Sequence, residues 1–357
     1  MARETDPGLQ RAQIAEQRRK VDFDTYDVTV DELIRRVGKS RIDIAPSYQR
    51  QFRWREDRQS RLVESLLLGI PIPPLFMATN TVAGAESQWE VVDGLQRLLT
   101  MVNFAGDPEA RAKVNLPDLP LKLCELEKLH HLNKCNYGDL PADIRSSFED
   151  RPMKVIVLND KSDLTVRYDL FERLNTGGLA LTDQEVRECV FRGPFIDLLV
   201  DLAGQDNFKS VVVLPQNSWR DGTPQEYILR FFAFLEEYPS FDHSVKDFLT
   251  DYTKSVAPDA VTDDRRQVFN QTFDFMHHVF PNGVKTRKGM TPVNLFEALS
   301  VGAALALRQV PNLSPLPDPS WVATEDLKKL TTGATNSRSR VAGRIEYCRD
   351  HFLAPHV

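Results

Sequence analysis

The stretch Trp89-Glu-Val-Val-Asp-Gly-Leu-Gln-Arg-Leu-Leu-Thr100 decides how the first half of this chain folds. Trp89 to Val92 is an apolar, β-favouring run that reads as a strand. Asp93-Gly94 interrupts it, and Leu95, Leu98, Leu99 and Val102 then recur at the spacing of one helical face. A helix starting at Gly94 presents backbone N–H groups without intrahelical partners at the positive end of its dipole, an arrangement that suits phosphate. Glycine lets a phosphate approach the backbone, and Arg97 can add a bidentate contact to phosphate oxygens. The plainer alternative makes Asp93 an N-cap and Arg97 a solvated helix residue, and helix physics alone favours it. An aspartate beside phosphate is repulsive unless a metal bridges the two or the carboxylate acts on water.

Upstream, Val21 to Arg41 reads as a short strand and a helix capped by Thr29, with Leu33, Ile34 and Val37 on one face. Arg41 to Pro46 alternates like a short strand that Pro46 ends. Asp57 to Gly69 has helical spacing at Leu62, Val63, Leu66 and Leu67, and Gly69 stops it. Leu75 to Met77 reads as a strand after an extended, proline-rich segment, and Asn80 to Ser87 as a turn region. Pro46-Ser-Tyr-Gln-Arg-Gln-Phe-Arg-Trp54 carries two arginines among aromatics, which suits an anion with a planar partner or, equally, a surface loop packed on the domain. Downstream, Ala105 to Asp150 gives weak signals of connecting helices and loops, and Lys154 to Leu158 reads as a buried strand. Arg167 to Leu174 is helical, and Asn175-Thr-Gly-Gly178 breaks it. Asn175 is able to meet a base or ribose there, although Asn and Gly also simply terminate helices. Thr182-Asp-Gln-Glu185 is a capping box. Beyond about residue 190, helical patterns dominate, at 224–238, 244–256, 264–279 and 291–308. The expected fold is α+β: a small mixed sheet with helices, followed by an α-helical domain. The expected divisions are an arm at 1–20, helical or loose, a sheet-containing domain at 21–190 and a helical domain at 191–357.

The chain has 357 residues, 41% hydrophobic and 27% charged, the composition of an ordinary globular protein. Its net charge of −6 gives no sign of a protein that coats nucleic acid, although a local basic patch is compatible with it. No apolar run approaches the ~20 residues needed to span a bilayer. The charged N-terminal stretch lacks a secretory signal's apolar core, so the expected location is the cytoplasm, with no membrane partner. Cys124, Cys135, Cys189 and Cys348 are scattered without a C-x-x-C pair, which argues against structural zinc and for reduced thiols. None of the seven histidines sits in a His…Asn…His arrangement of an H-N-H nuclease.

Four blocks together carry a resemblance. They are Tyr48-Gln-Arg50 with Phe52-Arg-Trp54; Leu62-Val-Glu-Ser-Leu-Leu-Leu-Gly-Ile-Pro-Ile-Pro-Pro-Leu-Phe76; Val92-Asp-Gly-Leu-Gln-Arg97; and Phe171-Glu-Arg-Leu-Asn-Thr-Gly-Gly178. In order and spacing, across roughly residues 26–190, they resemble the ParB/sulfiredoxin-like domain at the N-terminus of GmrSD-type modification-dependent restriction enzymes and of the phosphorothioate-sensing defence protein SspE. Gln225 to Phe232 and Asn294 to Glu297 resemble the helical extension that follows this domain.

The resemblance implies a cytoplasmic nucleotide-binding component of an anti-phage or restriction system, with NTP hydrolysis in characterised relatives. Asp93, Gly94, Gln96 and Arg97 take the places of the family's D-G-Q-Q-R motif, and Leu95 departs from it where a glutamine is usual. On this reading Asp93, Gln96 and Arg97 are catalytic, Asp93 is the residue to hold a Mg²⁺, and Tyr48, Arg50, Arg53, Gly94, Arg97, Asn175 and Gly177 bind a nucleoside triphosphate whose base is not specified. The segments around Arg50 and Asn175 are expected to converge on the Asp93–Arg97 helix start, with Arg50 or Arg53 within roughly 10 Å of Arg97, about one Debye length. The implied partners are the nucleotide, modified DNA and a separately encoded nuclease or effector. The rivals are a non-catalytic module that binds modified DNA or an effector, and a nuclease with an unfamiliar site. The lack of a cysteine in the Asp93–Arg97 loop argues against sulfiredoxin-type redox chemistry.

Overall fold

The computed structural model describes residues 6–17, 22–44, 54–80, 88–159, 168–170, 173, 182–257, 263–285, 289–314, 319–333 and 336–354. The chain divides into two compact units, Met1–Ala180 and Leu181–Val357.

The first unit runs α1 (Pro7–Gln17), β1 (Phe23–Thr29), α2 (Val30–Gly38), β2 (Ile42–Asp43), α3 (Glu56–Leu68), β3 (Leu75–Asn80), β4 (Gln88–Asp93), α4 (Leu95–Ala105), α5 (Pro108–Lys113), α6 (Ala142–Glu149) and β5 (Pro152–Leu158). The sheet order is β1-β5-β3-β4-β2. β5 pairs antiparallel with β1 and parallel with β3, β3 pairs antiparallel with β4, and β4 pairs parallel with β2. The sheet is therefore mixed, as the α+β expectation has it. In β5 Met153, Val155 and Val157 are buried on one face; on the other, Lys154 is exposed and pairs with Asp27 at 3.0 Å, Ile156 is half-buried and Leu158 is buried.

Local chemistry sets the boundaries. Thr29 accepts a hydrogen bond from the Glu32 N–H at the start of α2, and Leu33, Ile34 and Val37 bury its apolar face. Glu64, inside α3, is buried and accepts backbone N–H groups from Lys128 and Leu129 at 2.7 and 2.8 Å, with Glu127 N–H at 3.4 Å. Burial alone would raise its pKa. The donations from Leu129, Lys128 and Glu127 outweigh that and hold it below the ordinary value. This one carboxylate fixes the middle of the irregular segment between α5 and α6.

The second unit is helical: α7 (Asp183–Val190), α8 (Pro194–Ala203), α9 (Asp206–Val211), α10 (Thr223–Glu237), α11 (Val245–Val256), α12 (Asp263–Val279), α13 (Val293–Gln309), α14 (Glu325–Thr331) and α15 (Arg338–Leu353). The Thr182–Glu185 capping box forms in full at the start of α7. Phe208, Phe231, Phe269, Phe273 and Phe296 interlock in the core, with Phe269 and Phe273 stacked at 4.2 Å. Gly302 lets α13 and α15 approach closely, because a Cβ there would lie 2.7 Å from the Cys348 Cβ. A chain of buried charges crosses the unit. Arg187 donates to Glu226 at 3.0 Å, Arg230 bridges Glu226 and Glu297 at 2.7 Å each, and Arg344 pairs with Glu297. The side chains of Arg344 and Glu297 are both 0% exposed.

Candidate functional site

β4 meets α4 through an irregularity. Asp93 lies opposite Phe76 and Val91 opposite Met77, so Val92 is an extra residue on β4. Such a bulge bends the strand and re-aims the residues after it. Gly94 follows at φ +97, a left-handed conformation in which an L side chain is strained. A Cβ at Gly94 would also stand 2.4 Å from Leu75 Cδ2 and 3.0 Å from Arg97 Nη2. Glycine is therefore favoured twice over, by backbone conformation and by the Leu75 side chain packed against it, with the guanidinium close beside.

Gly94 caps α4 without a side-chain hydrogen bond, so Asp93 is not the N-cap. Instead Asp93 Oδ2 accepts from Arg97 Nη2 at 2.5 Å, and Arg97 Nη1 donates to the Pro73 carbonyl at 2.6 Å. The Arg97 side chain is 11% exposed and that of Asp93 40%. Arg97 is thus not the solvated residue that helix spacing alone suggests. Burial lowers its pKa from the ordinary arginine value, and the Asp93 carboxylate partly offsets this. Leu98, Leu99 and Val102 are buried on the opposite face, and Leu95 is half-buried.

Gln96 Oε1 accepts the backbone N–H of Trp54 at 3.1 Å. The Trp54 carbonyl accepts from Gln59 Nε2 at 2.8 Å, and Gln59 Oε1 accepts from Asn103 Nδ2 at 2.9 Å. Gln59 and Asn103 are buried. Both polar groups of Trp54's backbone are thereby held by side chains of α3 and α4. Arg58 lies over the Trp54 ring at 4.6 Å. The end of the Tyr48–Trp54 segment therefore does reach the start of α4. Tyr48, Arg50, Arg53, Asn175 and Gly177 lie outside the described residues, so the expected convergence of their side chains does too.

The Gln59–Trp54–Gln96 clamp and the Pro73 carbonyl are features that sequence reading missed. Gln59 and Asn103 look like ordinary polar helix positions until α3 and α4 are packed. Pro73 was visible only as a stiffener of the extended segment. In the second unit, the Glu226–Arg230 spacing of four residues signals an ion pair, but nothing local indicates its continuation to Glu297 and Arg344. Among the described residues, no group of three or more His, Cys, Asp or Glu could hold a metal ion. Among them, too, no helix is long and apolar enough to cross a membrane.

A small mixed sheet in which a bulged strand turns through a left-handed glycine into a helix, with an arginine folded back against that glycine, defines the architecture of the first unit. Residues 31–192 match the family model described as the GmrSD restriction endonuclease, N-terminal domain. The match supports the GmrSD-type family for this segment, which takes in β2 to β5, the Asp93–Arg97 site and α7. No curated protein and no solved structure matches the chain.

Proposed function

We propose that the chain is a nucleotide-binding sensor or regulatory component of a modification-dependent restriction system, and that its nucleoside triphosphate is held at the start of α4. The observation that carries this reading is the left-handed Gly94 with the buried Arg97 guanidinium against it, at a helix start that no side chain caps. The GmrSD-type match over residues 31–192 supports the restriction context. The broader likeness to ParB, sulfiredoxin and SspE domains stands on the sequence blocks quoted above.

In this reading the first-turn amides of α4 and the Arg97 guanidinium receive phosphate oxygens. Asp93 holds Arg97 in place from one side and the Pro73 carbonyl from another, so the cation is oriented before ligand arrives. Arg50 and Arg53 supply further positive charge, with Tyr48, Asn175 and Gly177 against the base and ribose. A Mg²⁺ supplies charge neutralisation when bound. Asp93 is the carboxylate at the helix start; Arg97 occupies its Oδ2, so Oδ1 would be the oxygen left to meet an ion carried in on the phosphates. Location in the cytoplasm and a separately encoded nuclease or effector as partner belong to the same proposal.

A second reading, binding without appreciable hydrolysis, is favoured by the engagement of Gln96. The Trp54 N–H takes one lone pair of its Oε1 and ties that oxygen to the preceding segment, which leaves it less free to turn towards a water. Leu95 stands where the family's other glutamine is usual. Titration calorimetry with ATP, GTP, CTP and UTP in Mg²⁺, together with a phosphate-release assay, tests both readings. The leading one expects at least one nucleotide to bind, with affinity lowered roughly ten- to a hundredfold in Arg97→Ala, the range of one charge-assisted contact. It also expects turnover that disappears in Asp93→Ala. Binding without turnover selects the second reading, and binding of every nucleotide unchanged in Arg97→Ala defeats both.

A further inference from the structure

We infer that the helical unit has a ligand site of its own, an apolar cavity with a cationic mouth that takes a small amphipathic anion such as a medium-chain carboxylate. The cavity has a volume of about 760 Å³. It lies between the loop after α12, the first turns of α13, the 3-10 turn Ser320–Ala323 and the end of α14. Pockets that enclose small molecules commonly measure ~300–1,000 Å³.

The lining determines the ligand class. Phe280, Val284, Leu295 and Val322 present apolar surface. The hydroxyl protons in the wall are already used: Thr331 donates to the Leu327 carbonyl at 2.9 Å and Thr332 to the Lys328 carbonyl at 2.6 Å. A sugar or nucleoside therefore finds few hydrogen-bonding groups there, whereas an alkyl or aryl body finds a continuous apolar wall.

The charges at the mouth are both positive. Lys328 is paired with Glu325 at 2.6 Å, which leaves it a weak attractor. Lys285 is exposed and makes no ion pair among the described residues. An anionic head on the apolar body would meet the Lys285 ammonium while the body fills the cavity. The site is separate from the Asp93–Arg97 helix start, which belongs to the first unit.

The test uses the full chain, with anilinonaphthalene sulfonate as fluorescent probe and decanoate, below its micelle concentration, as competitor. The expected result is saturable probe binding displaced by decanoate, with decanol at least about tenfold weaker, as loss of one charged contact implies. Lys285→Glu should weaken decanoate by a similar factor without altering the melting temperature. Val322→Trp, which fills the cavity from a half-buried position, should abolish probe binding. Probe fluorescence that decanoate does not displace, equal affinity for decanol and decanoate, or an unchanged decanoate affinity in Lys285→Glu would each overturn the inference.

Discussion

The Gln96 side chain holds the backbone N–H of Trp54 at 3.1 Å, across 42 positions of sequence. Gln59 donates to the carbonyl of the same residue, so one residue is pinned through both of its flanking peptides by side chains of two helices. Gln96→Glu keeps an acceptor for the N–H, whereas Gln96→Ala removes it. The expected outcome is near-native stability for the glutamate variant and a loss of about 1–2 kcal/mol for the alanine variant. Urea denaturation of both proteins checks this; equal stability of the two would show that the clamp does not bear on folding.

Gly94→Ala should be costly for two reasons that add. A left-handed backbone costs an L residue about 1–2 kcal/mol, and the new methyl collides with the buried Leu75. We expect a destabilisation of about 2–4 kcal/mol in chemical denaturation. In a double-mutant cycle, Leu75→Ala, itself costly at a fully buried position, should cost less in the Gly94→Ala background than in the native protein, by the steric component. A neutral Gly94→Ala contradicts the geometry described.

Glu188, on α7, gives a pH dependence of definite sign. Burial pushes its pKa up to about 7, with the nearby Glu185 adding to the rise, while Gln184 donates to its carboxylate and Arg187 opposes. The folded state thus keeps a proton that the unfolded state has released above pH 4.5. Stability should fall as pH rises from there to about 7, with a slope of up to ~1.4 kcal/mol per pH unit, and level off above. Melting temperatures of the native protein and Glu188→Gln, measured between pH 4.5 and 8, should show the slope reduced in the variant. Parallel profiles would mean that Glu188 is ionised throughout.

Breaking the buried pair should be worse than replacing it. Arg344→Met leaves Glu297 with Arg230 as its remaining partner in a site from which water is excluded, and a loss of about 3–5 kcal/mol is expected. The double variant Arg344→Met, Glu297→Leu should recover a substantial part of it. Thermal unfolding of the native protein, both single variants and the double variant gives the coupling directly; additive losses would exclude an interaction between the two residues.

Much of the fold was legible because it rests on short-range rules. Thr29, the Thr182–Glu185 box and Gly69 marked helix ends by local hydrogen bonding and glycine chemistry, and those ends lie where they pointed. The long helices of the second unit followed from apolar spacing. The apolar run Val155 to Leu158 read as a buried strand, and β5 is buried there with Ile156 half-buried; Lys154, at the start of the run, is the exposed exception and takes Asp27 as its partner. The site was legible in its residues but not in their pairing. Asp93, Gly94, Gln96 and Arg97 stand out in the chain, yet the inward fold of Arg97 depends on the Pro73 carbonyl, 24 positions away. Gln96 likewise takes its partner from the segment before α3, a contact that exists only once two helices have packed.

The charge chain through the helical unit also governs when that unit can form during synthesis. Glu297 emerges from the ribosome 47 residues ahead of Arg344, the partner that seals its second oxygen. Until then α13 carries a carboxylate meant for the interior, together with a face around Gly302 that is shaped for a helix not yet made. A nascent chain ending anywhere before α15 must keep that face wet. The helical unit consequently closes its charge chain only once α15 is made, whereas the whole sheet-bearing unit, ending at Ala180, precedes it in synthesis.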